Sequence, residues 1–387
     1  MIPDPALARL GTESAFSVLA RAAALTVEGR DVVNLGIGQP DFPTPPHVVA
    51  AGVRALQGGA HGYTDARGTP ELREAVAADV AARHGTAIDP AHLTIMPGGK
   101  PTMFFAIQML AQAGTEVLYP DPGFPIYRSM IEYRGARPVP VRLHPELGFG
   151  FRAAEVLAQI TDATRLLIVN SPGNPTGGVV PDAEVDALAE GLRAHPHVAV
   201  LSDEIYSCLL YGGRAHRSML AYPWLRDRLI VLDGWSKTYA MTGWRLGWAL
   251  WPEALVEAAG RLCVNSFSCV NAATQAAGIA ALTGPQDAVD AMREAFNARR
   301  RMLVAELNRL PGVTCAEPLG AFYAFPDVTG TGLSSRGFQE RALETHGVAT
   351  IAGPSFGVHG EGFVRLSYAA SMADLERALE RLRVMLG

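Results

Sequence analysis

Lys237 and Arg245 are the two residues with the clearest potential for chemistry, and both lie in the stretch 230–250, IVLDGWSKTYAMTGWRLGWAL. Lys237 is one of only two lysines in the 387-residue sequence, the other being Lys100. A buried lysine can lose its proton and attack a carbonyl carbon, whereas arginine remains charged. A solvated loop lysine followed by an arginine in a surface ion pair fits the same spacing.

Three further polar residues lie in or directly after apolar runs that read as buried strands. Asn174 follows the run at 166–169, in the turn NSPGNPTG, and Asp203 follows the run at 198–201. Arg365 interrupts the apolar strand FVRLSY. A buried acid or guanidinium needs a partner of opposite charge, which indicates a ligand in both cases. A capping or surface acid at Asp203 and an internal salt bridge at Arg365 are the structural alternatives.

These residues require strands that end at one edge of a sheet, where α/β proteins bind their ligands. The pattern predicts strands at 116–119, 166–169, 198–201, 230–232 and 246–250, alternating with helices such as the one capped by Thr69 and closed by Gly85. The part after the lysine stretch predicts helices at 266–283, 286–309, 335–346 and 372–386, and strands near 313–316, 321–325, 348–351 and 363–367. Arg299, Arg300 and Arg301 are interpreted as a solvated face. The length favours two domains.

The ordered set of strings resembles the class I and II aminotransferases, which are pyridoxal-phosphate (PLP) enzymes of fold type I. The strings are SK with GWRLG at 236–247, NSPGNPTG at 170–177, DEIY at 203–206 and GGK at 98–100. The resemblance is to the prokaryotic, aspartate aminotransferase-like subgroup. It implies an α/β fold with a large domain, 46–285, built on a mostly parallel seven-stranded sheet flanked by helices. It also implies a smaller α/β domain, 14–45 with 286–387, and an N-terminal arm at 1–13.

The same resemblance assigns cofactor roles to individual residues. Lys237 would form the imine with PLP, and Asp203 would keep the ring nitrogen protonated. The phenolic oxygen would contact Asn174 and Tyr206, and Phe124 would stack on the ring unless it is plain core packing. The phosphate would be bound by Gly99, Lys100, Ser236, Arg245 and, across a homodimer interface, Tyr63. Alone, Tyr63 reads as an ordinary loop aromatic.

Substrate roles follow in the same way, and here the sequence leaves alternatives open. Arg365 would bind the α-carboxylate, with Asn174 and Gly38 beside it, although Gly38 also reads as a turn glycine. Lys100 matches a lysine that reaches the distal carboxylate of acidic substrates, but it can equally face solvent or contact the phosphate.

The implied reaction is transamination between an L-α-amino acid and a 2-oxo acid such as 2-oxoglutarate, oxaloacetate or pyruvate. Aspartate and glutamate are favoured as amino donors. An aromatic or aliphatic amino acid aminotransferase, or a PLP-dependent C–S β-lyase, would share the same cofactor residues.

Composition excludes several other classes of protein. The net charge is −5 and no basic run occurs, which argues against nucleic acid as a partner. No apolar run is long enough to span a membrane. The four cysteines have no metal-like spacing, so no metal site is expected, and reduced thiols favour the cytoplasm.

Overall fold

A seven-stranded sheet forms the centre of the computed structural model, which describes residues 4–11 and 14–387. Its strands are β2 (Leu93–Met96), β3 (Glu116–Asp121), β4 (Arg137–Arg142), β5 (Thr164–Asn170), β6 (Ala199–Asp203), β7 (Leu229–Gly234) and β8 (Gly247–Leu250). Their spatial order is β2-β8-β7-β6-β5-β3-β4. Only β8 runs antiparallel to its neighbours. The predicted α/β fold with a mostly parallel seven-stranded sheet is confirmed.

Helices cover both faces of this sheet, so its inner strands are apolar throughout instead of alternating. Ile230 and Leu232 of β7 enter the core on one face, while Val231 enters the core on the other. The surrounding helices are α2 (Pro46–Gln57), α3 (Pro70–His84), α4 (Lys100–Leu110), α5 (Pro125–Tyr133), α6 (Ala153–Ala158), α7 (Asp182–Gly191), α8 (Trp235–Thr238), α9 (Glu253–Phe267) and α10 (Ala272–Thr283).

The start and the end of α3 show how the local sequence fixes these helices. The Thr69 hydroxyl accepts a hydrogen bond from Leu72 N at 3.4 Å, and Pro70 occupies the first helical position, where a missing N–H costs nothing. Gly85 ends the helix at φ 63°, in the left-handed region that glycine enters without strain. Both predicted signals are therefore confirmed.

A second apolar core joins the end of the chain to the segment around residue 35. Its elements are β1 (Val33–Asn34), α11 (Asp287–Leu307), β9 (Tyr323–Ala324), α12 (Ser335–Glu344), β10 (Val348–Ala349), β12 (Val364–Ser367) and α13 (Met372–Leu386). Helix α1 (Ser14–Val27) and strand β11 (Ile351–Ala352) instead bury Leu25 and Ile351 in the core that includes the central sheet. Strand β1 pairs with β10, and β12 lies between β11 and β9. The domain boundaries at 45/46 and 285/286 stay predictions.

The predicted continuous helix at 266–283 is wrong. The chain turns at Ser268, with φ at 62°, and α10 begins only after Asn271, whose side chain accepts from Thr274 N at 2.9 Å. The preceding helix α9 was missed, although Leu255, Ala259, Leu262 and Cys263 recur at helical spacing and lie in or against the core.

Two other predictions in the second half of the chain also need correction. The segment 313–316 makes an isolated bridge between Thr314 and Asp327 where a strand was expected. The solvated face at Arg299 and Arg300 is wrong, because Arg300 is buried and bonds the Pro318 carbonyl at 2.9 Å, and the Arg299 side chain pairs with Asp41 at 2.6 Å. These arginines tie α11 to other segments of the chain.

The described part of the predicted arm lies against its own chain. Residues Pro5–Arg9 form a short 3-10 helix, and Arg9 donates to the carbonyls of Glu132 and Tyr133 in α5 at 2.8 and 3.0 Å. Residues 1–3 and 12–13 of that predicted arm lie outside the described residues. Across 4–11 and 14–387, no helix combines the length and the apolar character needed to cross a membrane.

Candidate active site

One cavity of about 290 Å³ lies at the edge of the sheet where the parallel strands end. Strands β2, β3, β5, β6 and β7 deliver their following loops to this edge, and the antiparallel β8 begins there, two residues after Arg245. The predicted site residues that line it are Gly38, Gly99, Lys100, Phe124, Asn174, Asp203, Tyr206, Ser236, Lys237, Arg245 and Arg365. Residues as far apart in the sequence as Gly38 and Arg365 therefore line one cavity.

Lys237 projects from the short helix α8, which follows β7. Its Nζ donates a hydrogen bond to the carbonyl oxygen of Gly38 at 2.7 Å, and it lies 5.8 Å from the centre of the Phe322 ring. The preceding residue, Ser236, is buried and lines the same cavity. A primary amine is thus held inside the cavity by a neutral acceptor.

Asp203 ends strand β6 and is almost completely buried. Its carboxylate accepts from the Tyr127 hydroxyl at 2.6 Å and from Ile205 N at 3.2 Å. Burial raises the pKa of Asp203 to about 7, although both hydrogen bonds favour the charged form. A cationic N–H group in the cavity would supply the partner that stabilises the carboxylate.

Asn174, in the turn after β5, and Arg365, in β12, form a hydrogen-bonded pair in the cavity. Arg365 Nη1 donates to Asn174 Oδ1 at 2.8 Å, and Nη2 donates to the Gly36 carbonyl at 2.6 Å. Because arginine only donates, the amide oxygen of Asn174 must face it, which leaves the amide nitrogen as the donor toward a ligand. Both acceptors are neutral and the buried guanidinium is positively charged, so its chemistry suits an anion such as a carboxylate.

Aromatic rings enclose the Arg365 guanidinium, whose central carbon lies 4.7 Å from the centre of the Tyr323 ring and 4.8 Å from that of Phe356. The Tyr323 hydroxyl lies 2.9 Å from the Tyr206 hydroxyl. Burial raises the pKa of Tyr206 well above its usual range, and the neighbouring Tyr323 hydroxyl raises it further. Tyr206 is therefore a protonated donor in the cavity.

The loop before α4 and Arg245, which lies two residues before β8, form a cradle suited to an anion. Arg245 has a φ of 57°, and its guanidinium donates to the carbonyls of Thr242 and Pro97 at 2.8 and 3.2 Å. A Cβ added at Gly98 would lie 2.2 Å from Arg245 Nη2, so the glycine makes room for the guanidinium. Gly99 precedes the first turn of α4, where backbone N–H groups and the helix dipole favour negative charge.

Phe124 and Lys100 border the cavity. Phe124 is half-buried and lies edge-on to Tyr127, with 5.8 Å between the ring centres. Lys100 is exposed, and its Nζ lies 5.5 Å from the centre of the Phe124 ring and 5.6 Å from that of Phe16. This border therefore combines a positive charge with apolar rings.

Tyr63 is the one predicted site residue that does not line this cavity within the single chain. It is 92% exposed, which an ordinary loop position and a position for contact with a second subunit both allow.

The structure adds three residues that the sequence did not single out. Tyr127, Asn170 and Tyr323 all line the cavity, and Asn170 joins two predicted residues by bonding the backbone of Asp203 at 3.0 Å and of Asn174 at 3.1 Å. Asn170 was detectable as the last residue of the strand before the Asn174 turn. Tyr127 and Tyr323 carried no local signal beyond lying near strand ends.

Comparison with known proteins gives consistent relatives. The family described as "Aminotransferase class I and II" matches residues 30–382. Aspartate/prephenate aminotransferase of Cereibacter sphaeroides is 37% identical, covering 97% of this chain and 96% of its own. The crystal structure of an aspartate aminotransferase from Rhizobium meliloti superposes with a TM-score of 0.95 at 35% identity, covering 100% of this chain and 99% of that one. The structure of Thermus thermophilus aspartate aminotransferase with maleate superposes with a TM-score of 0.94 at 35% identity, covering 100% of this chain and 100% of that one.

Proposed function

This chain belongs to the class I and II aminotransferases, and on that premise we propose that it uses PLP to move an amino group between an acidic amino acid and a 2-oxo acid. One observation carries the proposal. Lys237 Nζ and Arg365 Nη2 are held by carbonyls only two residues apart, those of Gly38 and Gly36. An amine that can move a proton is thus placed beside a guanidinium that can bind a carboxylate.

The donor set around the cavity fits PLP. Lys237 would hold the cofactor covalently through Nζ, and the buried Asp203, whose pKa is raised to about 7, would gain the ring N–H as its partner. Asn174 Nδ2 and the Tyr206 hydroxyl would contact the phenolic oxygen, beside Phe124. The phosphate dianion would be bound by the backbone at Gly99 and Lys100 and by Ser236 and Arg245. When bound, this cofactor supplies an electron sink that stabilises negative charge at the α-carbon of the substrate.

Three residues would bind the substrate, transfer its proton and stabilise the cofactor ring. Arg365 binds the substrate α-carboxylate bidentately and so fixes the α-carbon near Lys237. Lys237 Nζ, as a free amine, would move the proton between that carbon and the C4′ atom of the cofactor, in opposite directions in the two half-reactions. Asp203 keeps its carboxylate charged against the ring nitrogen throughout.

Two observations support an acidic substrate. Lys100 brings a positive charge to the border of the cavity, where a distal carboxylate would lie. The similar proteins named above are an aspartate/prephenate and two aspartate aminotransferases. Phe16, Leu19 and Ile37 also line the cavity, so an apolar side chain has a surface to contact.

The function is tested by recording the visible absorption of the cofactor-loaded protein while single amino acids are added. We expect glutamate and aspartate to remove the lysine-linked band and 2-oxoglutarate or oxaloacetate to restore it. Release of pyruvate and ammonia from a cysteine conjugate without any amino acceptor would instead identify a β-lyase. Efficient bleaching by phenylalanine or leucine alone would contradict the acidic-substrate assignment.

Replacing Lys100 by methionine, which is uncharged and nearly as long, should lower kcat/KM for glutamate and aspartate by about 5-fold. The reason is loss of one partly solvated charge contact, on the order of 1 kcal/mol. Turnover of alanine, measured in parallel, should stay within about 2-fold because alanine has no distal carboxylate. An equal fall for all three amino acids would indicate a role at the phosphate instead.

We also propose a homodimer in which Tyr63 reaches the phosphate bound by the partner subunit. In addition to the exposed Tyr63, the chain has three exposed apolar residues on one face of helix α2, Val49, Val53 and Leu56, at helical spacing. Light scattering should give twice the chain mass, and Tyr63→Phe should weaken PLP binding by about 5- to 10-fold through loss of one phosphate hydrogen bond. A monomer that binds PLP as tightly as its Tyr63→Phe variant would refute this arrangement.

A further inference from the structure

Tyr323 occupies a junction between three parts of the site and has no role in the account above. It lies in β9, which pairs with β12 through Ser367, and is 1% exposed while lining the cavity. Its hydroxyl lies 2.9 Å from that of Tyr206, and its ring covers Arg365. A Cβ added at Gly38 would lie 2.2 Å from the same hydroxyl, so Tyr323 also abuts the segment whose carbonyl holds Lys237.

The direction of the Tyr206–Tyr323 hydrogen bond decides whether Tyr206 has a proton to donate to a bound ligand. Each hydroxyl carries one proton, and the pair shares one hydrogen bond. If Tyr206 donates to Tyr323, no proton remains on Tyr206 for a ligand. If Tyr323 donates to Tyr206, the Tyr206 proton is directed at the group bound in the cavity.

We propose that Tyr323 is a positioning residue that donates to Tyr206 Oη, so that the Tyr206 hydroxyl donates to the cofactor, while its ring orients the Arg365 guanidinium. The inference rests on the proposed function, since it takes the cofactor's phenolic oxygen as the acceptor from Tyr206. A donor that itself accepts a hydrogen bond is a stronger donor, so the Tyr323 hydroxyl strengthens the contact.

This arrangement has a spectroscopic consequence that does not depend on turnover. A donor at the phenolic oxygen favours the deprotonated form of the lysine-linked cofactor and lowers the pH midpoint of its absorption change. Removing the Tyr323 hydroxyl weakens that donor and raises the midpoint. Asp203 and Arg365 act electrostatically on Tyr206, and Lys237, Lys100 and Arg245 line the same cavity; all of them are kept in every variant below.

The hydroxyl and the ring of Tyr323 can be separated by two substitutions. Tyr323→Phe keeps the ring over Arg365 and removes the hydroxyl, whereas Tyr323→Leu removes both. Tyr211→Phe is a matched control, because Tyr211 is a buried tyrosine that donates to the Ala321 carbonyl and does not line the cavity.

The test is a pH titration of the visible absorption of each holoenzyme without substrate, followed by a titration with the unreactive dicarboxylate maleate. Tyr323→Phe should raise the midpoint by about 0.5 to 1 pH unit and leave maleate affinity within about 2-fold. Tyr323→Leu should raise the midpoint and also weaken maleate binding by about 5- to 10-fold, because the cation–π contact with Arg365 is lost. Tyr211→Phe should change neither quantity.

An unchanged midpoint in Tyr323→Phe would overturn the role of the hydroxyl, and unchanged maleate affinity in Tyr323→Leu would overturn the role of the ring. Either result would leave the proposed function standing. A wild-type protein that shows no visible band with PLP would refute the proposed function itself, and this inference with it.

Discussion

Replacement of Lys237 by alanine is expected to abolish transamination, with kcat falling by about four orders of magnitude or more. In the proposed function Lys237 is both the nucleophile that attaches the cofactor and the base that moves the substrate proton, so the variant would lose two large contributions. The visible band of the lysine-linked cofactor should disappear as well, although the phosphate cradle at Gly99, Ser236 and Arg245 remains to bind free PLP. The measurement is a steady-state assay together with an absorption spectrum.

Two controls separate chemistry from charge. Lys237→Arg keeps the positive charge but supplies no deprotonated amine, so it should be as inactive as the alanine variant. Lys100→Met changes the only other lysine and should keep the band. Normal turnover in Lys237→Ala would remove the basis of the mechanism.

Replacement of Asp203 by asparagine should lower kcat/KM by roughly 10²- to 10⁴-fold, because breaking a buried ion pair costs about 3–5 kcal/mol. Asparagine keeps the shape, and its Oδ1 can accept from Ile205 N while its Nδ2 donates to the Tyr127 hydroxyl oxygen. It cannot, however, hold a proton on the cofactor ring nitrogen. Asn170, which bonds the backbone of Asp203, stays in place. Activity within about 3-fold of wild type would show that the carboxylate charge is not used.

The same variant should affect the stability of the cofactor-free protein in the opposite sense. The pKa of Asp203 rises from its usual 3.8 to about 7 on folding because of burial. The folded state therefore binds the proton more tightly, and this stabilisation, complete below about pH 4, is lost as the pH rises through 7. Asparagine carries no charge, so the free energy of unfolding of Asp203→Asn should exceed that of wild type at pH 8 by a few kcal/mol, on the order of 1.4 kcal/mol per unit of pKa shift. At pH 5 this difference should be much smaller. Urea unfolding of both cofactor-free proteins at these pH values measures the difference, and a less stable variant at pH 8 would contradict it.

Residues that follow strands were predictable because their position depends on short-range sequence. The apolar runs at β5, β6 and β7 fix where each strand ends, and the strings after them carry Asn174, Asp203 and Lys237. Since parallel strands end at one edge of a sheet, the convergence of these side chains follows from the topology. The structure places them in one cavity, while their individual roles stay predictions.

Contacts between distant segments were not predictable in this way. Tyr323 lies 117 residues after Tyr206, and their hydrogen bond depends on how β9 packs over the cavity. The burial of Arg300 also depends on tertiary packing, because the run at 299–301 looks like a solvated helix face by itself.

The central claim, that Lys237 carries the cofactor, is tested most directly by reducing the PLP-loaded protein with borohydride and mapping the modified lysine by mass spectrometry. Borohydride fixes a lysine-linked cofactor as a stable amine, and the sequence offers only Lys100 and Lys237 as sites. Because trypsin does not cut after a modified lysine, we expect one peptide carrying the reduced cofactor, spanning 229–245 with Lys237 uncut. Label on the peptide spanning 84–128, which contains Lys100, or no label at all, would contradict it.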